Sequence, residues 1–431
     1  MNFVGETAIR DAASVSVRRG FAWLSAGYAV YMFFQWIMIV LLARWGTPEK
    51  VGQFGLALAT TAPIVLFTSL GLRRVLATDA RSTYRFSEYL GLRLVTNVAA
   101  IGLTALVVWA AGYRTETALV VLAMGVAKAI EATSDIVHGL FQRHGRIDFV
   151  ARSMLLRGPL SAAGLAAGFL ATRDVFWGVV GLAAGWLAVF LLYDWPRARR
   201  FEGPAAPDQG TFTRRCASLA ALALPLGLVA LLTSLKASIP SLVIAKHLGE
   251  GSLGLFMALI YFHAASNRVV SALGEAATVR LAATYARGEE ENFARLTGKM
   301  LLVALGIGAA GVAIAAVAGR PLLAFFYGAV YAEESAALVL IMAAAVVANL
   351  QTVLDYAMTS ARRFKIQPWM YGSSAVLLFI LCALLVPAMG LRGAAIALGV
   401  GSLIEAAATG AVVARALTRE RTPGTTLLEG S

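Results

Sequence analysis

The stretch Phe21 to Ala43, FAWLSAGYAVYMFFQWIMIVLLA, contains no charged residue and lies between Arg18-Arg19 and Arg44. A helix needs about 20 apolar residues to cross about 30 Å of hydrocarbon, so this one segment is long enough to span a bilayer. It lacks a small-x-small cleavage site, and is expected to be retained rather than removed as a leader.

Working outward, eleven further stretches of the same kind follow. The first six spans are Phe21 to Ala43, Val51 to Leu72, Tyr89 to Ala111, Thr117 to Phe141, Ser153 to Ala171 and Val175 to Leu192. The second six are Ser218 to Ala245, Leu253 to Leu273, Met300 to Ala318, Ser335 to Met358, Met370 to Ala388 and Gly393 to Ala414. They are rich in Ala, Leu, Gly and Val without period-two alternation. In lipid only helices and closed barrels satisfy every backbone hydrogen bond, so the expected class is an all-α integral membrane protein.

Composition agrees. Apolar residues make up 59% of the 431 positions and charged residues 14%, too little polar surface to wrap a soluble fold of this size. The net charge of +13 suggests nucleic acid until the basic residues are placed on the topology. Assigning each Lys or Arg to its nearest connection puts 27 on the N-terminal side of the membrane, 7 opposite, and Lys128, Lys236 and Arg268 inside spans. This asymmetry predicts that both termini are cytoplasmic, and explains the basicity without a nucleic-acid partner.

The chain reads as two six-helix lobes, 1–195 and 216–431, joined by a cytoplasmic linker 196–215 that holds Pro196, Pro204, Pro207 and a short cluster of three arginines, Arg197, Arg199 and Arg200. Short matches recur between the halves. Leu42-Ala43-Arg44 and Gly52-Gln53-Phe54 parallel Ile244-Ala245-Lys246 and Gly254-Leu255-Phe256, and Ala77 to Arg81 parallels Ala283 to Arg287. Asp135 precedes Arg143 by the same interval as Asp355 precedes Arg363. Six helices return the chain to its starting side, so the repeat is expected to be parallel, about an axis along the membrane normal. Residues 280–299 mix apolar and charged side chains and are read as an interfacial helix pair.

Charge inside a span carries the functional reading, since a central Lys or Asp costs roughly 2.5 to 3.5 kcal/mol. Lys128, Glu131 and Asp135 share one helical face at i, i+3 and i+7, which cannot point at lipid. Lys236 lies between Pro225 and Pro240, where a bend is expected. One reading has these groups line a hydrated cavity; the other has Lys128 pair with Glu131 on its own helix and Lys236 neutralise a carboxylate as a packing device. Arg268 and Glu275 are read as snorkelling, Asp355 and Glu405 as intermediate, and Gln35 and Gln351 as hydrogen bonders between helices. The four histidines show no ligand or nucleophile spacing, and Cys216 and Cys382 support neither a disulfide nor a thiolate site, so no catalytic residue, metal or cofactor is assigned.

Ala43-Arg44 followed by Gly52-x-Phe54, Leu70-Gly71-Leu72-Arg73, Leu224-Pro225-Leu226 and Phe326-Tyr327-Gly328 together resemble the polysaccharide-transporter family. That family includes the O-antigen and exopolysaccharide flippases of the multidrug/oligosaccharidyl-lipid/polysaccharide (MOP) superfamily. The resemblance implies a two-lobed, V-shaped bundle with a basic cavity between the lobes. It also implies alternating-access transfer of an undecaprenyl-pyrophosphate-linked oligosaccharide. On that implication Lys128 and Lys236 bind the headgroup, and Glu131, Asp135 and Asp355 modulate charge or couple an ion. Partners would be the lipid-linked oligosaccharide, membrane lipids, a glycan polymerase and export machinery.

Two rival readings stay open: a cation-coupled drug antiporter of the same superfamily, and a membrane glycan polymerase or ligase, against which the short outer loops argue. A major-facilitator carrier lacks support, because Leu72-Arg73-Arg74-Val75 stands where its Gly-x-x-x-Asp-Arg would be.

Overall fold

The computed structural model describes residues 3–79, 82–201, 211–362 and 366–419, with the side chains of 3–22 and 418–419 left aside. Pro204 and Pro207 of the linker, and Arg81 and Arg363 of the repeat matches, lie outside the described residues.

The described chain is helical throughout. In order come α1 (Phe3–Trp45), α2 (Pro48–Thr68), the short α3 (Leu72–Thr78), α4 (Phe86–Ala111), α5 (Thr115–Arg143), α6 (Ile147–Thr172) and α7 (Val175–Val189). A π-helical turn, Phe190–Asp194, extends α7. Then follow α8 (212–248), α9 (250–286), α10 (Glu290–Phe326), α11 (Ser335–Ser360), α12 (367–389) and α13 (391–419).

Helical backbone runs unbroken through Pro225 and Pro240 and breaks at Gly249 (φ 83°) and Gly390 (φ 62°). Only glycine takes such a left-handed conformation without a Cβ penalty, so these two residues end α8 and α12. The first break in helical backbone after Lys236 comes at Gly249, thirteen residues later.

Nine helical stretches among the described residues are long and apolar enough to cross a membrane, with α8–α9 and α12–α13 each counted once. Resolving those two breaks gives eleven, and α5 with its charged face makes twelve, as the hydropathy pattern predicts. The expected interfacial pair at 280–299 is not a separate element. It is the end of α9 and the start of α10, continuous with the spans and joined by a turn at 287–289 with Gly288 at φ 68°.

Contacts divide the chain into residues 1–238 and 239–431. In the first unit α5 packs against α2, α3, α4, α6 and α7, which makes it the central helix of that bundle. This centrality lets α5 carry Lys128, Glu131 and Asp135, which the surrounding helices partly shield. Asn97 of α4 anchors to α5 by donating to the Ala129 carbonyl at 3.0 Å and to Thr133 Oγ1 at 2.9 Å. Helices α6 and α7 approach through glycine, where a Cβ on Gly164 would stand 2.1 Å from the Gly181 carbonyl oxygen. In lipid, where helix association draws on close packing rather than burial from water, such contacts hold bundles together.

The start of α8 docks on the same unit. Arg215 pairs with the buried carboxylate of Glu88 and donates to the Thr83 carbonyl at 2.6 Å, and Leu219 and Ala223 enter the apolar cluster with Leu76, Tyr89 and Phe141. The adjoining turn is held by Asp79, which accepts from the Thr83 N–H at 2.9 Å and the Tyr84 N–H at 3.2 Å. Partial burial opposes ionisation of Asp79, and these backbone donors outweigh it, holding its carboxyl below the usual carboxylate range.

In the second unit α10 packs on α11 and α11 on the segment 367–419. Asn349 donates to Ser266 Oγ and Asn267 to Thr352 Oγ1, both at 2.8 Å, tying α9 to α11. Asparagines thus make these interhelical bonds, while the buried Nε2 of Gln35 finds no hydrogen-bond acceptor among the described residues. Cys216 and Cys382 are both free thiols.

Candidate functional site

Within the first unit, α1, α2, α3, α5 and α6 enclose a cavity of about 340 Å³. Its walls mix apolar Ala62, Val65 and Met154 with Tyr28, Tyr31, Arg73, Lys128, Glu131, Asp135 and Arg157. Lys128 Nζ lies 2.8 Å from Glu131 Oε2 on its own helix, and the two residues also line the cavity.

Glu131 is gripped twice and Asp135 once. Glu131 Oε1 accepts the Tyr31 hydroxyl at 2.6 Å, a bond between α1 and α5. Asp135 Oδ1 accepts from Arg73 at 2.7 Å, and Arg73 Nε also donates to Gln142 Oε1 at 3.2 Å, which fixes α3 against α5. The Lys128 ammonium stands 5.2 Å from the centroid of the Trp186 ring, a cation–π contact with α7.

Arg157 differs from the other cations. It is 1% exposed, lines the cavity, reaches Asp194 Oδ2 only at 3.5 Å, and leaves its Nε–H without a hydrogen-bond partner among the described residues. Behind it lies a buried polar layer in which His138 Nε2 is 3.0 Å from Ser153 Oγ and 3.7 Å from Asp194 Oδ2. Asp194 enters this layer at the last residue of the π-helical turn, an irregularity that often marks functional positions. A guanidinium at the wall of a cavity that two further cations line can donate hydrogen bonds to anionic oxygens.

The sequence-derived residues divide among these features. Lys128, Glu131 and Asp135 are brought together in the cavity. Lys236, half-buried on α8, is not among the residues lining it. Asp355 lies on α11 in the second unit, 3.5 Å from Thr409 Oγ1, and Glu405 nearby in sequence is 4% exposed and accepts the Ser374 hydroxyl at 2.5 Å.

Sequence reasoning missed Arg73, Arg157 and the His138–Asp194 layer. Both arginines were assigned to connections because they lie near span ends. Arg157 sits four residues into a predicted span, and that depth is the signal that could have marked it.

Residues 17–279 match the family whose model is described as polysaccharide biosynthesis protein. The chain is 23% identical over 374 residues to the capsular polysaccharide biosynthesis protein CapF of Staphylococcus aureus, a match covering 86% of this chain and 92% of that protein. Among solved structures, it is similar to the inward-facing conformation of a multidrug resistance MATE family transporter of the MOP superfamily. That likeness has a TM-score of 0.70 at 15% identity and covers 93% of this chain and 100% of the other. A MOP superfamily transporter from Pyrococcus furiosus Vc1 aligns with a TM-score of 0.64 at 15% identity, over 94% and 96% of the two chains. At these identities the structural likeness shows the fold, that of a multi-pass membrane transporter.

Proposed function

From the premise that this chain belongs to the polysaccharide biosynthesis protein family, we propose that it is a flippase for a lipid-linked oligosaccharide at the bacterial cytoplasmic membrane. The substrate class is an undecaprenyl-pyrophosphate-linked glycan destined for surface polysaccharide, and the chain makes and breaks no covalent bond. A pyrophosphate and a row of sugar hydroxyls cannot enter hydrocarbon, whereas a prenyl tail can stay in it. A polar cavity within a helical bundle meets the first need.

The observation that carries the proposal is Arg157: a buried guanidinium with a spare donor at a cavity that Arg73 and Lys128 also line. Glu131 and Asp135 occupy Lys128 and Arg73 at rest, so a pyrophosphate must compete with them for the same cations. Protonating either carboxylate frees its partner for the ligand, which couples ion uptake to substrate binding. Lys236 serves as a second headgroup contact and Asp355 as a further ion-coupling carboxylate in this scheme. Movement is alternating access between two parallel six-helix lobes, with both termini cytoplasmic.

The test is surface glycan in a cell that depends on this protein, complemented with Arg157→Gln, Lys128→Ala or Lys236→Ala. Lipid-linked oligosaccharide should accumulate and surface glycan fall, most for Arg157→Gln. Unchanged export at matched protein levels would remove the residue concerned, and unchanged export in the deletion strain would sink the function.

The paired carboxylates also suit a second reading, a cation-coupled small-molecule antiporter. Drug resistance on overexpression, lost with Glu131→Gln and unaccompanied by any glycan phenotype, would favour it.

A further inference from the structure

Outside the cavity just described, the second unit bears a groove of about 440 Å³ between α9 and α10, floored by α11. Such a volume lies in the range of small-molecule sites. On α9 it is lined by Val270, Leu273, Ala277 and Arg280, at helical spacings that form one face. On α10 it is lined by Lys299, Met300 and Val303, again one face. Val270 and Val353 form its floor at 0% and 1% exposure, while Leu273 and Val303 on the walls are 42% and 49% exposed. It is thus an apolar trough left open along one side, with two cations at one end.

Arg280 and Lys299 make no side-chain hydrogen bond or ion pair among the described residues. This contrasts with Arg287 and Arg295 at the same helix hairpin, which pair with Glu289 and Glu291. Lys299 immediately precedes the uncharged run Met300 to Ala318, and Arg280 follows Leu273 by seven residues, about 10 Å along the helix axis. Both cations therefore stand at the level where hydrocarbon gives way to headgroups, on the side of the 287–289 turn. The small side chains of Ala276 and Ala277 keep the trough open between them.

We propose that this groove binds one anionic phospholipid of the leaflet on the turn's side, its phosphate held between Arg280 and Lys299 and an acyl chain along Val270, Leu273 and Val303. Charge selects the occupant. Lipid tails gain nothing from leaving one another for an apolar groove, so preference for this site over bulk bilayer must come from the headgroup. Each unpaired cation near the surface favours an anionic lipid by about fivefold in affinity. A zwitterionic lipid gains little of this. The site stands whether or not the chain moves a glycan lipid.

The experiment uses the full-length protein in neutral detergent, titrated with phosphatidylglycerol or phosphatidylcholine of matched chains and read by native mass spectrometry. Wild type should bind one phosphatidylglycerol at least tenfold more tightly than phosphatidylcholine. Arg280→Gln with Lys299→Gln should abolish that preference, and Arg280→Lys with Lys299→Arg should keep it. Ala276→Phe, which fills the groove and leaves both cations, should weaken phosphatidylglycerol binding. Equal binding of the two lipids by wild type, an undiminished preference in the double glutamine variant, or full binding by Ala276→Phe would overturn the site. Displacement of phosphatidylglycerol by an equimolar prenyl diphosphate would overturn the choice of occupant.

Discussion

Lys128 and Glu131 sit one turn apart on α5 and touch at 2.8 Å, at the edge of a cavity and in the middle of a helical bundle. A pair so placed is held by neighbours on two other helices, Tyr31 and Trp186, rather than by the helix alone. Its side chains are 19% and 24% exposed, so removal of one partner leaves a charge in a poorly hydrated place. Lys128→Ala should lower stability by about 1 to 3 kcal/mol, and the double change with Glu131→Ala should cost less than the sum. Thermal unfolding of the purified variants measures both; strict additivity would mean that the pair is uncoupled.

Arg73 and Asp135 join α3 to α5 across 62 positions of sequence. A double-mutant cycle with Arg73→Gln and Asp135→Asn should return a coupling of about 0.5 to 3 kcal/mol. Asp135→Asn alone leaves Arg73 its bond to Gln142, so it should be the milder single change.

Gly181 faces the Gly164 carbonyl oxygen, and a Cβ there would stand 2.0 Å away. The obstruction is backbone and cannot swing aside, so α6 and α7 must separate to admit any side chain. Gly181→Val should cost at least about 1 to 3 kcal/mol and lower the melting temperature. Gly102, with nothing near its Cβ position, supplies the control: Gly102→Ala should leave stability unchanged or raised.

Asp79 provides a pH dependence of known sign. Its folded-state carboxyl titrates below the unfolded value of about 3.9, so its contribution is complete above that pH and is lost as pH falls through the lower folded value. Hydrogen exchange at Thr83 and Tyr84, corrected for intrinsic rates, should show weakened protection on acidification. Asp79→Asn should show weak protection at every pH tested. Equal pH profiles for the two proteins would exclude Asp79 as the clasp of this turn.

Helix extent and membrane class were legible because they depend on local quantities. Length and apolarity of a stretch such as Phe21 to Ala43 settle whether it can span, and the i, i+3, i+7 spacing of Lys128, Glu131 and Asp135 settles that they share a face. The glycine breaks were partly legible, since the predicted spans already parted around Gly249 and Gly390. Residues 280–299 misled because mixed polarity looks the same in an interfacial helix and in helices that extend past the membrane surface.

By itself the sequence determined that this protein is a chain of transmembrane helices with three charged residues on one face of the fourth span, because solvent transfer acts on each segment separately. Only the tertiary structure decided which charges meet. Arg73 finds Asp135 because α3 packs on the central α5, and Arg157 meets Asp194 because α6 packs closely on α7. Position near a span end could not tell a buried guanidinium from one reaching out to water, since that difference lies in the helices packed around it.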